Sequence, residues 1–224
     1  MTISSDTPVG KIATEFPLAT RVFARHGIDF CCGGGKPIGS VCEAKALDTE
    51  RVLEEINAEI SASDDMPERW DEREPTELID HILKTYHEPL TEELPRLQAM
   101  AQKVNDVHGH KQPDTLPAIL ATVIALKAEL ESHMAKEEQI LFPMVRAGRG
   151  HEAGGPVSVM EQEHEAAGAA LARLRELTNG YEVPAEACNT WRALWHGLAA
   201  LEQAMHQHIH LENNILFPRA LAGR

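Results

Sequence analysis

Twelve of the 224 residues are histidine, more than one in twenty, and two of them open blocks that recur along the chain. Residues 133–143 read HMAKEEQILFP and residues 208–218 read HIHLENNILFP, so both follow H-x3-E-x2-ILFP without a gap. Upstream, His87 and His164 each open a second shared pattern, H-E-x5-L-x-R-L, through Leu94, Arg96 and Leu97 or Leu171, Arg173 and Leu174. The chain therefore carries two copies of a unit with one lone histidine and one His/Glu pair.

Spacing gives the pattern its chemistry. Residues i and i+4 share one helical face with Cβ atoms ~5–6 Å apart, so a His and a Glu converge on one ion. A single H-x3-E is ordinarily a solvated ion pair; two matched pairs and two matched lone histidines in register are not. Four imidazoles and two carboxylates result: His87, His133, Glu137, His164, His208 and Glu212. A bridging carboxylate spans two cations, and paired metals sit ~3.5–4 Å apart. Neutral imidazole with carboxylate suits iron, zinc or copper, and the lack of cysteine in the set disfavours an iron–sulfur cluster. The expected site is a pseudo-twofold dinuclear centre in a helix-bundle core.

The other histidines fit less well. His206 and His210 lie two residues either side of His208 and point away from it. His108, His110 and His151 fall in loops, while His81 and His196 are read as core residues or partners behind the ligands. Glu129, one turn before His133, and Glu163, beside His164, are candidates for orienting a ligand or relaying protons, against the plainer reading of solvated acids.

Positioning these groups requires long helices, and the chain has them. From Pro75 onward four helical patterns run over about 75–104, 115–142, 157–178 and from after Pro184 to Pro218, with Pro89 and Pro95 as kink points in the first. Each spans ~30 Å at ~1.5 Å rise per residue. No alternating strand pattern competes, so the fold class is all-α: an up-down four-helix bundle over 75–224. The ILFP blocks read as apolar packing, with proline ending each helix. Residues 1–62 form a small helical module: Pro8 and Pro17 suit first turns, Gly27 closes a helix, and Asp48 or Thr49 caps another. Residues 63–74 read as a linker.

Composition narrows the function. Hydrophobic residues at 43% and charged residues at 25% are ordinary for a globular chain. Aromatics are 4%, leaving little to stack on bases or sugars. Thirty-five acids against 21 Lys+Arg give a net charge of −14, a field that repels nucleic acid and anionic lipid. The longest nearly apolar run, Leu116 to Leu126, is 11 residues and too short to cross a bilayer. With no secretion signal visible, the four cysteines read as thiols of a cytoplasmic protein.

Several blocks together resemble the RIC family (repair of iron centres), di-iron proteins with a hemerythrin-like bundle and an ScdA-type N-terminal domain. The match runs through Asp29-Phe30-Cys31-Cys32-Gly33-Gly34, Tyr86-His87, Ser132-His133 to Pro143, and Val159-Met160-Glu161 to His164. It closes on Leu211-Glu212-Asn213-Asn214 to Gly223. The family's iron ligands map onto His87, His133, Glu137, His164, His208 and Glu212. The resemblance implies two bridged irons and protection or repair of iron–sulfur clusters under nitrosative or oxidative stress. Partners would be the damaged cluster proteins, with nitric oxide or oxygen as small ligand; a homodimer stays open. Gly35 adds a third glycine after Cys32 where the family has two, and Pro89 follows His87 closely enough to tilt that helix.

With two histidines per metal, two shared carboxylates and an oxo or hydroxo bridge, each iron would have five ligands and one open position. Side-by-side open positions fit coupling of two nitric oxides to nitrous oxide, and they fit loosely held iron that is handed on. An oxygen or nitric oxide carrier or sensor without turnover is the alternative. Cys31 and Cys32, in an accessible glycine-rich loop near Arg25, His26 and Lys36, are candidates for thiol transfer on a module outside the bundle. Cys42 and Cys188 read as structural.

Overall fold

The computed structural model describes residues 3–63 and 67–223; residues 1–2, 64–66 and 224 lie outside it, and with them part of the expected 63–74 linker. Among the described residues are eleven α-helices, and the strand-like pairing is limited to an isolated bridge between Pro8 and Pro37.

The N-terminal module is built from α1 (Val9–Glu15), α2 (Ala19–His26), α3 (Ile38–Ala44) and α4 (Thr49–Ser61). Pro8 and Pro37 precede α1 and α3 in extended conformation, which is why they can pair with each other. Gly27 ends α2 with φ +60°, a left-handed conformation that costs glycine nothing. Asp48, not Thr49, caps α4, accepting from the backbone N–H groups of Glu50 and Arg51. Val9, Ile12, Val22, Phe23, Ile38 and Ile56 fill the small core.

The second unit contains α5 (Pro75–Ile82), α6 (Glu88–His108), α7 (Thr115–Lys136), α8 (Phe142–Arg146), α9 (Gly154–Leu177), α10 (Asn189–Leu211) and α11 (Phe217–Leu221). Helix α6 packs on α7 and α10, and α9 packs on the same two, closing a four-helix bundle. Its core runs from Leu97, Val104 and Ile119 to Leu171, Trp191 and Trp195. Among the described residues no helix is long and apolar enough to cross a membrane.

The prolines behave differently from the sequence expectation. Pro143 and Pro218 do not end their helices; each opens a further helical turn, α8 and α11. Wide π-turns at Leu83–His87, Glu137–Leu141 and Glu212–Leu216 make this possible. In each case proline is the second residue after the π-turn: Pro89, Pro143 and Pro218. A proline lacks an N–H and clashes with the carbonyl one turn back. The wider i→i+5 turn just before it relieves both problems, and such bulges frequently coincide with functional positions. Here they carry His87, Glu137 and Glu212.

Two further expectations are corrected. Residues 67–74 are not a bare tether: a short turn at Trp70–Glu72 lays the Trp70 indole on His81, with ring centroids 4.2 Å apart. Arg219, from α11, donates to the Trp70 carbonyl at 3.2 Å and to that of Arg73. The cysteine loop, expected on a module apart, is docked on the bundle. Cys31 is buried within the bundle's own core cluster, and Cys32 packs beside it. Asn214 donates from Nδ2 to the Phe30 and Cys31 carbonyls at 3.2 and 3.1 Å, and Phe30 sits edge-on to His210 at 5.4 Å. Burial of Cys31, 5% exposed within the bundle's core cluster, contributes to the contact.

Candidate metal centre

Helices α7 and α10, each with the π-turn that follows it, deliver one His/Glu pair each, the π-turn before α6 delivers His87, and α9 delivers His164. All six side chains are buried, none more than 2% exposed. The His208 Nε2 lies 3.0 Å from Glu212 Oε1, the i,i+4 convergence expected from spacing alone. The His133 Nε2 approaches Glu137 Oε2 at 3.4 Å in the same way.

Each glutamate also meets a histidine of another helix: Glu137 meets His87 at 3.4 Å, and Glu212 meets His164 at 3.1 Å. Two groups of converging ligand atoms result, His87/Glu137/His208/Glu212 and His133/Glu137/His164/Glu212, each with its atoms within 4.8 Å of one another. Both glutamates belong to both groups.

The donor set fits cations. Imidazole nitrogens face each other across each group, His87 Nε2 to His208 Nε2 at 3.2 Å and His133 Nε2 to His164 Nε2 at 3.0 Å. Both carboxylate oxygens of Glu137 and Oε2 of Glu212 are buried without a hydrogen-bond donor. Buried acceptors gathered this way are costly unless a cation sits among them.

The outer nitrogens fix the rings. The His87 Nδ1 donates to Glu138 at 2.8 Å, His133 Nδ1 to Glu163 at 2.9 Å, and His164 Nδ1 to Asn213 Oδ1 at 2.8 Å. A carboxylate only accepts, so the proton stays on Nδ1 and the Nε2 lone pair faces inward, as a metal ligand requires. Lys136 also pairs with Glu163 and holds it in place. Two phenylalanines of the ILFP blocks cover imidazoles, Phe142 on His87 and Phe217 on His164, at 5.8 and 5.9 Å between centroids. These blocks therefore line the site as well as packing the core.

Electrostatics follow from burial. Without a cation in the centre, desolvation opposes charging His133, yet contact with Glu137, the field of Glu212 and the bond to Glu163 push it up to about 9, so a metal ion that takes its Nε2 lone pair displaces a proton. Desolvation likewise opposes ionising Glu212, but His208 and His164 hold it well below the usual carboxylate range.

Two candidates part company here. Glu163 is in place, though it bonds His133 rather than its neighbour His164. Glu129 is exposed on α7. The buried stripe of that helix runs Leu126, Leu130, His133 and Glu137, and Glu129 lies on its solvent flank. His196, expected as core or behind a ligand, is exposed on α10. His206 and His210 face the cysteine loop, and neither enters the two groups. His108 is the last residue of α6, with its Nε2 3.3 Å from Cys188 Sγ. Glu138 and Asn213 were not singled out from the sequence, although each directly follows a candidate glutamate in the repeated block.

In the cysteine loop, Asp29 accepts from the N–H groups of Cys31, Cys32 and Gly33 at 2.9, 3.0 and 2.8 Å. The Cys31 thiol points at Asp29 at 3.2 Å and at Cys32 Sγ at 3.9 Å. Its bond to Cys32 and its burial raise the Cys31 thiol far above the ordinary range, while the same bond lowers Cys32 despite burial. The Cys32 Sγ faces Gly168 of α9, one turn beyond His164, where an added Cβ would lie 3.9 Å from it.

A helical bundle enclosing two carboxylate-linked His/Glu groups defines a hemerythrin-type cation-binding protein, and residues 78–220 match the Hemerythrin HHE cation binding domain. Residues 5–60 match ScdA_N, a domain of unknown function (DUF542). The chain is 42% identical over 220 residues to the iron-sulfur cluster repair protein YtfE of Escherichia coli strain UMN026, covering 97% of this chain and 98% of that one. The YtfE protein of Shigella boydii strain Sb227 matches equally, at 42% over 220 residues and the same coverage. The chain belongs to the YtfE family of iron-sulfur cluster repair proteins.

Proposed function

We propose that this protein is a di-iron protein that repairs iron–sulfur clusters damaged by nitrosative or oxidative stress, with His87, His133, Glu137, His164, His208 and Glu212 as its iron ligands. The observation that carries the reading is the sharing of Glu137 and Glu212 by two ligand groups. A single-metal site has no use for a second pair of converging imidazoles. A bound iron pair supplies two adjacent coordination positions and, when reduced, two electrons. The chain's part is to hold His87, His133 and His164 by their outer nitrogens and His208 against Tyr86, to offer two carboxylates that both groups would share, and to exclude water with Phe142 and Phe217.

Cys32 is the transfer group. Its thiolate is favoured by the Cys31 hydrogen bond, and it lies beside α9 one turn from the ligand His164. Exchange of iron or a nitrosyl group between centre and client therefore needs no bending of a linker. A carrier or sensor without turnover would have no need of this thiol.

The test is anaerobic. The reduced protein is mixed with a nitrosylated iron–sulfur protein, and cluster recovery and nitrous oxide are followed together with iron content. Two irons per chain, recovery by the native protein and loss of recovery in Cys31→Ala/Cys32→Ala at full iron loading are expected. Iron well below two per chain refutes the dinuclear reading. Nitric oxide uptake without cluster recovery in the native protein favours the carrier.

A further inference from the structure

Three aromatic rings outside the ligand set lead from the surface to the centre. Trp70 is half-buried and stacks on His81 at 4.2 Å. His81 meets Tyr86 edge-on at 5.8 Å. Tyr86 then lies flat on His208, its ring 5.1 Å away and tilted by only 8°. Trp70, His81 and Tyr86 also line one cleft of about 160 Å³ between the module and the bundle. Among the four candidate histidines His208 stands apart: its Nδ1 is buried without a hydrogen-bond partner, and it carries Tyr86 on its ring face. By the repeat, Tyr86 stands where Glu163 stands in the other half, yet it bonds to no ligand nitrogen and offers a π-contact instead.

We propose that Trp70, His81 and Tyr86 form a one-electron path between a one-electron carrier at the mouth of this cleft and the His208 side of the metal centre. The inference rests on the di-iron reading above. Electron tunnelling decays exponentially with distance, and here each ring is in contact with the next. Tryptophan and tyrosine are also among the most easily oxidised side chains, so a strong oxidant can place an electron hole on them and drive the path in reverse. Delivery of one electron oxidises the carrier by one equivalent and reduces one iron(III) to iron(II). No bond in the three rings is formed or broken.

The path can be driven in reverse by pulse radiolysis of the reduced, iron-loaded full-length chain in azide. The azidyl radical takes one electron from the accessible Trp70 indole and becomes azide, and the indole N–H proton leaves to water. An iron(II) then supplies an electron through Tyr86, the indole recovers its proton, and the pair is left mixed-valent, visible by low-temperature EPR. Trp191 and Trp195, 0% and 2% exposed, are shielded from the oxidant. The expected result is a tryptophan radical that decays at a rate independent of protein concentration as the mixed-valent signal grows.

Trp70→Phe loses both signals. Tyr86→Phe keeps the tryptophan radical but slows its decay by at least an order of magnitude. Both variants retain native iron content and absorption, which a structural role for the rings would not allow to accompany slowed transfer. Equal decay in Tyr86→Phe, or an undiminished mixed-valent signal in Trp70→Phe, overturns the proposal. The metal-free chain separates the two claims: there the Trp70 radical gives way to a Tyr86 radical, the phenol proton leaving to water in the shared cleft and the indole taking one back, whether or not the protein binds two irons, and its failure to do so also overturns the path.

Discussion

The docking of the cysteine loop turns on Asn214, and removing its side chain tests that account directly. Its Nδ2 reaches three acceptors, the Phe30 and Cys31 carbonyls and His210 Nδ1, all at 3.1–3.2 Å. An amide nitrogen has two protons, so two of these contacts are full hydrogen bonds at any moment. At about 1 kcal/mol net per bond, plus the cost of stranding buried carbonyls, Asn214→Ala loses about 2–4 kcal/mol. For a chain of this size that corresponds to a fall in Tm of roughly 5–15 °C. Calorimetry of the iron-loaded protein reads the Tm, and a thiol reagent reads the loop: Cys31, 5% exposed, becomes reactive. Gly34→Ala attacks the same contact from the other side. Its Cβ would collide with the Asn214 side chain and come within 2.9 Å of the Phe30 carbonyl. Overpacking of this kind costs about 1–3 kcal/mol. This substitution leaves the helices carrying the ligands untouched, so iron content stays native while Cys31 opens. An unchanged Tm and unchanged Cys31 reactivity in both variants would refute the docking account.

Three other outcomes follow from the geometry. Glu137→Leu and Glu212→Leu each lose both metals together, because these glutamates belong to both groups; one iron retained per chain, by elemental analysis, contradicts the shared bridge. Glu163→Gln keeps the fold but removes the charged acceptor behind His133, and chelator competition should show metal affinity lower by about 10–100-fold. Burial holds His210 neutral down to about 4, so the folded state binds fewer protons than the unfolded chain below pH ~6.5. His210 thus lowers stability as pH drops from ~6.5 towards 4, by at most ~3 kcal/mol at ~1.4 kcal/mol per unit; denaturation of His210→Gln across this range should show a slope shallower by that contribution.

The six candidate ligands were legible because their constraint is local. An H-x3-E pair converges through helix geometry alone, and its repetition separates it from a chance ion pair. The all-α class was legible for the same reason. What stayed hidden depends on contacts between distant segments. Glu138 and Asn213 look like surface polar residues until helix packing sets them behind His87 and His164. Glu129 looked equivalent to Glu163 because sequence distance says nothing of which flank of α7 meets another helix. The helix-ending reading of Pro143 and Pro218 failed because a π-turn has no strong residue preference of its own. The repeated placement of proline two residues beyond it is a signal, but one recognisable only once the turns are seen.

The repeat makes the centre symmetric, and the residues beside the ligands undo that symmetry. In one group, His133 leans on the Glu163 carboxylate and His164 on the Asn213 amide. In the other, His87 leans on the Glu138 carboxylate, while His208 has no bond at Nδ1 and lies against Tyr86. A carboxylate behind an imidazole makes it a stronger electron donor to a metal. Each group thus has one carboxylate-backed histidine, and the difference rests on the remaining one: amide-held His164 near Cys32, or Tyr86-stacked His208 near the cleft. The two sides of the centre consequently face different neighbours, a thiol across α9 on one and aromatic rings on the other. That arrangement suits a centre that exchanges a ligand or metal on one side and electrons on the opposite one, a separation that an exact duplication would not supply.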